Sequence, residues 1–372
     1  MWKALIAFAG VLGACATPGL CAQKKLFGTM PDGQRVYIYT LTNGHGLEVR
    51  ISEFGAAIVS LRVPDRNGKS DDIVEGFDTF DEYLKHPRAG AVVVGRHGGR
   101  LSNGRITLDG VGYQLSQNEG PDNVHGGAHG FDTKLWRSRD LSSGKSQRVE
   151  LTYISPDGEE GFPGMLRTTV IYSLNAHNEL SMEFAAVSDR KTVVNLMNHG
   201  YFNLAGDGQG DVLGHVLTIV ADKYSPLDAR RATTGELRDV AGTPFDFRKP
   251  TAIGARIDED DEQLRIGRGY DHHFALRDGG GARPALAARV YEPTSGRVME
   301  VLTTETSVLL YSGQKLNGMI GKGGRSYGRS SAFALELQHI PDAPSKPWLP
   351  STVLPAGVRY HQLTIFRFST AP

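Results

Sequence analysis

Apolar and polar residues alternate along much of the chain, in short runs separated by turn-forming residues. Apolar side chains occupy every second position over residues 180–186, and the preceding stretch 168–174 is rich in β-branched and aromatic residues. A period of two residues predicts strands with one buried face, and β-branched and aromatic residues favour strands. The turn-like stretch 175–178 separates the two runs.

The same alternation returns near the C-terminus, where Tyr360, Thr364, Phe366 and Phe368 share one parity after a turn at 355–357. Long stretches with a 3.6-residue period are absent, and only residues 80–84 predict a helical turn or two. Many short strands separated by Gly, Pro, Asp and Asn are typical of antiparallel sandwiches and barrels. The pattern therefore predicts an all-β protein.

No composition change marks a boundary between domains. The stretch 278–284 contains three consecutive glycines, but the alternation on both sides of it is the same, so it is interpreted as a hairpin loop. No internal repeat is visible. We predict a single domain over residues 23–372, which is long enough to bury a sizeable core.

The N-terminal residues are typical of an export signal. A short basic start, Met1–Lys3, precedes an apolar stretch rich in small residues, Ala4–Ala16. This stretch is shorter than the roughly 20 residues that span a bilayer, but it suits a secretory signal peptide. Cleavage sites are available around Cys15 and, less favourably, around Cys21. We predict a signal peptide over 1–22 and a periplasmic or secreted protein, with no stable membrane span.

The stretch 11–15 also resembles a bacterial lipoprotein box, in which Cys15 would be lipidated after cleavage. A soluble product is favoured over an anchored one, and an uncleaved apolar tail is the remaining alternative. Cys15 and Cys21 are the only cysteines. Residues 23–372 therefore offer no disulfide, no thiol nucleophile and no cysteine metal ligand.

The formal charge is balanced, with 41 basic and 41 acidic residues. Nucleic-acid binding normally needs a basic face, and no block of Lys or Arg supplies one. We therefore expect no nucleic-acid partner. The substrate should be uncharged, or should carry its charge to a small local site.

Two glycine-rich segments carry titratable residues. The stretch 95–105 holds three arginines, which suit either a phosphate or solvated turns, but it contains no nucleotide-binding fingerprint. In the stretch 118–131, His125 and His129 are four residues apart, the spacing of a metal-binding pair on a helix. The surrounding glycines disfavour a helix, so a loop presenting one imidazole to a small ligand is the preferred interpretation.

Two strand-like segments are unusually polar. In the stretch 195–204, alternation places His199 and Tyr201 on one face of a strand, where a lone histidine is more often structural. In the stretch 333–338, Glu336 and Gln338 share a face of an otherwise apolar strand. Burying a carboxylate without a partner is costly, so Glu336 should lie at a cleft wall or be paired.

These segments, in this order, resemble the aldose 1-epimerase (galactose mutarotase) family from about Asn43 to Phe368. The resemblance is carried by the stretches 103–110, 123–131, 157–164, 198–204, 242–247, 270–274 and 334–338. It implies a large antiparallel β-sandwich, the galactose mutarotase-like supersandwich, with an open sugar cleft and no metal or cofactor. Two positions depart from the family pattern: Gly99 replaces an asparagine and Leu309 replaces a glutamine.

The resemblance also implies roles for individual residues. It makes Glu336 the general base and His199 the general acid, facing each other across the cleft, while Arg100, His125 and Asp271 hold the sugar hydroxyls and ring oxygen. Interconverting α and β anomers requires removing a proton from the C1 hydroxyl and giving one to the ring oxygen. A carboxylate and an imidazolium suit these two tasks.

Two alternatives stay open from the sequence. A hexose-phosphate epimerase of the same fold would use Arg96, Arg100 and Arg105 on the phosphate, although export argues against it. A non-catalytic carbohydrate-binding protein would keep the cleft but not the reaction. Retention of both Glu336 and His199 opposes the second alternative.

Overall fold

The computed structural model describes residues 21–143, 146–316 and 318–372. The predicted signal sequence and the lipoprotein box at Cys15 fall almost wholly on residues 1–20, outside the described residues. Among the described residues, no helix is long and apolar enough to cross a membrane.

Short antiparallel strands are the main regular secondary structure of the described chain. Their bounds in the first half are β1 Gln23–Thr29, β2 Arg35–Thr42, β3 Glu48–Ser52, β4 Ile58–Pro64, β5 Ser70–Asp72, β6 Val93–Val94, β7 Arg100–Leu101, β8 Arg105–Leu108, β9 Val111–Gln114, β10 Asn123–Val124, β11 Arg137–Asp140, β12 Gln147–Ser155, β13 Leu166–Leu174, β14 Glu179–Ser188, β15 Thr192–Val193 and β16 Met197–Asn198. In the second half they are β17 Val216–Ile219, β18 Ala221–Ser225, β19 Arg238–Asp239, β20 Thr251–Ala252, β21 Asp271–Leu276, β22 Ala285–Tyr291, β23 Arg297–Thr303, β24 Ser307–Tyr311, β25 Met319–Ile320, β26 Ser326–Tyr327, β27 Ala334–Gln338, β28 Val353–Leu354 and β29 Arg359–Thr370.

Helices are few and short among the described residues. The α-helices are α1 Phe80–Lys85 and α2 Glu262–Gly267, and single 3₁₀ turns occur at Ser102–Gly104, Phe131–Thr133, Glu159–Gly161, Ile253–Ala255, Lys322–Gly324 and Ala343–Ser345. Helix α1 begins with a capping box, in which Thr79 accepts a hydrogen bond from the backbone of Glu82 and the Glu82 side chain accepts one from the backbone of Thr79. This confirms the helix predicted over 80–84, whereas α2 was not predicted.

Three large sheets form the framework. A nine-stranded sheet has the order β11-β12-β13-β14-β29-β23-β22-β17-β20, and two five-stranded sheets have the orders β1-β2-β3-β4-β5 and β19-β18-β21-β24-β27. All strand pairs within them are antiparallel. The strands predicted over 168–174, 180–186 and 360–368 are confirmed as parts of β13, β14 and β29.

One apolar core joins the three sheets. A single cluster of buried side chains draws on all of them, including Leu41 and Val49, Phe184 and Val301, and Leu310 and Leu335. Burying a side chain of this size contributes about 1.5–3 kcal/mol. The predicted all-β, antiparallel sandwich is therefore confirmed.

Two local predictions were wrong. The stretch 278–284 is not a hairpin loop, because it connects β21 of a five-stranded sheet to β22 of the nine-stranded sheet. The stretch 195–204 is not one continuous strand: the regular structure there is β16 and isolated bridges at Asn195 and Phe202. The expected division of faces holds nevertheless, since Leu196 and Phe202 enter the core while His199 and Tyr201 line a cleft.

Candidate active site

A cleft of about 540 Å³ lies over strands β21, β24 and β27. This volume is within the range of sites that bind small molecules. All five residues predicted to carry the chemistry line it: Arg100, His125, His199, Asp271 and Glu336. In the sequence, the other four residues lie between 65 positions (Asp271) and 236 positions (Arg100) from Glu336, and the sheet and the loops beside it bring them together.

Strand register explains the arrangement of the cleft floor. Across β21, β24 and β27, His273 pairs with Leu309, which pairs with Glu336. Two residues before His273 on β21, Asp271 pairs with Tyr311 of β24. Because residues two apart on a strand share a face, both rows point into the cleft.

Glu336 and His199 are in direct contact. The Oε1 atom of Glu336 lies 3.0 Å from Nε2 of His199, and both residues are more than 90% buried. The two groups face each other in one cleft, as the sequence predicts, but at hydrogen-bonding distance rather than across its width. Opposite charges that share a buried site attract strongly, and each supplies the partner that the other needs.

Each member of the pair changes the pKa of the other. Burial raises the pKa of Glu336, but the charge and hydrogen bond of His199, together with smaller effects of His125 and His273, outweigh burial and lower the pKa to about 2. Burial lowers the pKa of His199, and the Glu336 carboxylate raises it by more. The contact therefore favours the ionised form of each group, a carboxylate at Glu336 and an imidazolium at His199.

Gln338 fixes the second oxygen of Glu336. Its Nε2 donates to Oε2 of Glu336 at 2.9 Å, and its own Oε1 accepts a hydrogen bond from Nδ2 of Asn195 at 3.3 Å. Gln338 and Asn195 are both fully buried. Gly98 leaves room for this amide, since a Cβ there would come within 2.4 Å of the Gln338 Oε1.

His125 is held by the backbone of Gly99. The Gly99 amide donates to Nδ1 of His125 at 3.2 Å, and the His125 amide donates to the Gly99 carbonyl at 2.9 Å. Burial lowers the pKa of His125 to about 3, so the ring is neutral. With Nδ1 accepting, the proton of the neutral ring is on Nε2, which makes that nitrogen a hydrogen-bond donor to a ligand.

Arg100 and Asp271 complete the predicted set. The Arg100 guanidinium contacts Oε1 of Glu119 at 3.0 Å and Oδ2 of Asp122 at 3.3 Å. Burial raises the pKa of Asp271 to about 6, and the nearby Glu336 carboxylate adds to the effect. The Asp271 carboxyl forms no hydrogen bond or ion pair with another described side chain, which leaves it available to a ligand in the cleft.

The other residues singled out in the glycine-rich segments lie elsewhere. Arg96 is buried and donates to Ser155 and to the carbonyls of Pro163 and Gly164. Arg105 is exposed on β8 and does not line the cleft, so the three-arginine phosphate site is not formed. His129 is exposed and also lies outside the cleft lining.

The two departures from the family pattern change the cleft surface. A Cβ at Gly99 would lie 2.0 Å from Cγ of Pro341, so the Pro341 ring occupies the space that a side chain at this position would need. Leu309 lies directly between His273 and Glu336 on the cleft floor. Both positions therefore present apolar surface where the family pattern has an amide.

Sequence reasoning missed several cleft residues. Tyr201 and Tyr311 pack around His199, with ring centroids 4.7 and 6.4 Å from its own. The sequence placed Glu336 and Gln338 on one strand face but did not predict the hydrogen bond between them. Arg231 and Lys315 also line the cleft, but no motif in the sequence distinguishes them. Among the described residues, no group of His, Cys, Asp or Glu is arranged to hold a metal ion.

A buried carboxylate–imidazolium pair in an open cleft defines a site suited to proton transfer without a covalent intermediate. The model of the family described as "Aldose 1-epimerase" matches residues 37–367. The chain is 42% identical to the galactose mutarotase of Bos taurus over 350 residues, covering 94% of this chain and 98% of that protein. It is 35% identical to the aldose 1-epimerase of Escherichia coli K12, covering 91% and 96% of the two chains.

Solved structures of aldose epimerases have the same fold as this chain. The galactose 1-epimerase from Lactobacillus acidophilus superposes with a TM-score of 0.82 at 27% identity, covering 94% of this chain and 99% of that one. The aldose epimerase homologue from C. elegans gives a TM-score of 0.80 at 29% identity, covering 90% and 99%. The chain belongs to the aldose 1-epimerase family. It is an isomerase, and the reaction of its class is the interconversion of the α and β anomers of aldoses.

Proposed function

We propose that the protein interconverts the anomers of free aldoses related to galactose and glucose, with Glu336 as the general base and His199 as the general acid. The observation that carries this assignment is the 3.0 Å contact between Glu336 Oε1 and His199 Nε2 inside the cleft. The names of the relatives, galactose mutarotase and aldose 1-epimerase, support the substrate class.

Two adjacent groups suffice because the C1 hydroxyl and the ring oxygen are bonded to the same carbon. On binding, the hemiacetal oxygens replace the direct contact between Glu336 and His199. Glu336 takes the proton of the C1 hydroxyl, His199 gives its Nε2 proton to the ring oxygen, and the bond from C1 to the ring oxygen breaks. The product of this step is the open-chain aldehyde.

Ring closure runs the same steps backwards. After rotation about C1–C2, the former ring oxygen attacks the other face of the carbonyl. It returns its proton to His199, while Glu336 returns its proton to the carbonyl oxygen, so both groups are regenerated. Arg100, neutral His125 and Asp271 would hold the remaining hydroxyls, and their placement keeps the aldehyde close to the pair while C1 rotates.

Polarimetry tests the proposal. Freshly dissolved α-D-galactose and α-D-glucose should drift to equilibrium faster in proportion to the concentration of protein lacking residues 1–22. A protein that only binds carbohydrate would not accelerate the drift, although calorimetry would still detect the sugar. Binding without acceleration on any pyranose of a broad panel would refute the proposed activity.

We also propose that the protein acts outside the cytoplasm. The basic start and apolar stretch at residues 1–16 support export, because they match a secretory signal peptide. Fractionation of cells that express the full chain should find the processed protein in the periplasm or the medium. Recovery of unprocessed chain in the cytoplasm would contradict export.

A further inference from the structure

Three cations line one side of the cleft around a single carboxylate. Oε1 of Glu119 lies 3.0 Å from Arg100, 2.5 Å from Arg231 and 4.0 Å from Nζ of Lys315. All four side chains belong to the cleft lining. The Oε1 atom of Glu119 is therefore the nearest carboxylate oxygen shared by all three cations.

The surrounding acids engage these cations unequally. Asp122 is buried beneath Arg100 and also pairs with Arg230, which lies outside the cleft lining and is 3.9 Å from Asp228. Asp271 is the other carboxyl on this side of the cleft, and burial keeps its pKa at about 6. The cleft surface thus presents three cations against Glu119 and an acid whose ionisation is incomplete below neutral pH.

Lys315 is the least satisfied of the three cations. Its side chain is half exposed, its Nζ forms no hydrogen bond with a described residue, and the carboxylate oxygen of Glu119 is 4.0 Å away. Burial lowers the pKa of Lys315, and repulsion from Arg231 lowers it further, which is the response of an ammonium with too few anionic neighbours.

We infer that this side of the cleft binds an anionic substituent of the sugar, so that the preferred aldose carries a carboxylate or phosphate remote from C1. Arg100 and Arg231 provide planar forks that match a carboxylate, and Lys315 provides a mobile point charge. The apolar surfaces of Leu309 and Pro341 offer less to the hydroxyls of a neutral hexose. The inference rests on the proposed acid/base function of the same cleft.

A hexuronate satisfies these requirements simply. Its carboxylate is at C6, so the hemiacetal at C1 is unchanged and the roles of Glu336 and His199 stay the same. A hexose 6-phosphate presents its anion beyond the same carbon. Rates on the two sugars therefore distinguish a carboxylate from a phosphate as the anion recognised.

The experiment compares kcat/KM for the α anomers of D-galactose, D-galacturonate and D-galactose 6-phosphate, followed by NMR exchange of the anomeric protons. At low ionic strength one anionic sugar should exceed galactose by about fivefold or more, and the advantage should shrink as salt screens the cations. Equal or lower values for both anionic sugars would overturn this inference while leaving the proposed activity intact. No catalysis on any of the three sugars would instead count against the proposed activity.

Neighbouring arginines supply a matched control. Arg231→Gln and Lys315→Gln should each lower the ratio of kcat/KM for the anionic sugar to that for galactose by about three- to tenfold. Arg230→Gln removes a cation that pairs with Asp122 outside the cleft and should leave the ratio unchanged. An unchanged ratio in both Arg231→Gln and Lys315→Gln would overturn the assignment of these residues to the anion.

Discussion

Gln338 lies two residues after Glu336 on the same strand, and its side-chain amide donates to the Glu336 Oε2 at 2.9 Å. The contact leaves Oε1 as the oxygen that faces His199. A donor to the carboxylate stabilises its ionised form and restricts its rotation. Gln338 therefore acts as a positioning residue for the proposed base.

Replacing this amide should shift the pH profile. In Gln338→Met the lost hydrogen bond raises the pKa of Glu336, so the acidic limb of the pH–rate profile should move to higher pH and kcat should fall by about tenfold. Rates by polarimetry across a range of pH would measure both changes.

Gln362 provides the control for a buried glutamine. It is also buried, and its Nε2 donates to the Leu337 carbonyl at 3.1 Å and to Thr364 at 3.2 Å, without touching Glu336. Gln362→Met should therefore lose comparable stability, about 1–3 kcal/mol, and keep the wild-type pH profile. Identical profiles for the two variants would show that Gln338 has a structural role only.

The charge state of His199 can be followed directly by NMR titration of its imidazole. In the wild type its pKa should lie above the ordinary value of 6.5, because Glu336 outweighs burial. In Glu336→Gln only the burial remains as a large influence, so the pKa should fall below 6.5. A His199 pKa that does not change between the two proteins would contradict the coupling of the pair.

The same coupling fixes the sign of the pH dependence of the rate. Glu336 must be ionised, so the rate should fall as the pH drops through its depressed pKa. His199 must be protonated, so the rate should fall as the pH rises through its elevated pKa. The profile should be bell-shaped, and its basic limb should be lost in His199→Asn along with most of the activity.

Gly99 should tolerate no side chain. Its φ is +71°, and a Cβ would lie 2.0 Å from the Pro341 Cγ. Gly110 has a similar φ of +79° with no atom within 4 Å of its Cβ position, so it isolates the cost of the backbone conformation. Gly110→Ala should cost about 1 kcal/mol, and Gly99→Ala about 1–3 kcal/mol more, because the ring of Pro341 must move.

Urea unfolding of the two glycine variants measures this difference, and activity adds a second readout. Pro341 lines the cleft and Gly99 holds His125, so Gly99→Ala should also lose sugar turnover, whereas Gly110→Ala should not. Equal destabilisation of the two variants would show that the space above Gly99 is not filled as described.

Much of the framework follows from the alternation of side chains. The runs that became β13, β14 and β29 bury every second residue against one core, which is why period-two patterning identified them. The path of the chain at 278–284 could not be predicted in the same way. A hairpin and a crossing between sheets share the same turn residues, and only packing of the whole chain decides between them.

The residues of the site also fall into those that the sequence identifies and those that it does not. Glu336 stands out because a carboxylate in an apolar strand needs a partner, and His199 and His125 stand out among glycines and amides. Arg231 and Lys315 do not stand out, since isolated cations in loops usually face solvent. They became part of the cleft because the loops after β18 and β24 meet at the same edge of the sheet.

The most direct measurement is the polarimetric rate of Glu336→Gln on α-D-galactose, beside Glu305→Gln. Glu305 is buried and forms a second carboxylate–histidine pair, with its Oε2 2.6 Å from Nδ1 of the partly exposed His339, outside the cleft lining. Loss of about 10²- to 10⁴-fold in Glu336→Gln, with the rate kept in Glu305→Gln, is the expected result. A folded Glu336→Gln protein that turns over sugar at the wild-type rate would contradict the assignment of the base.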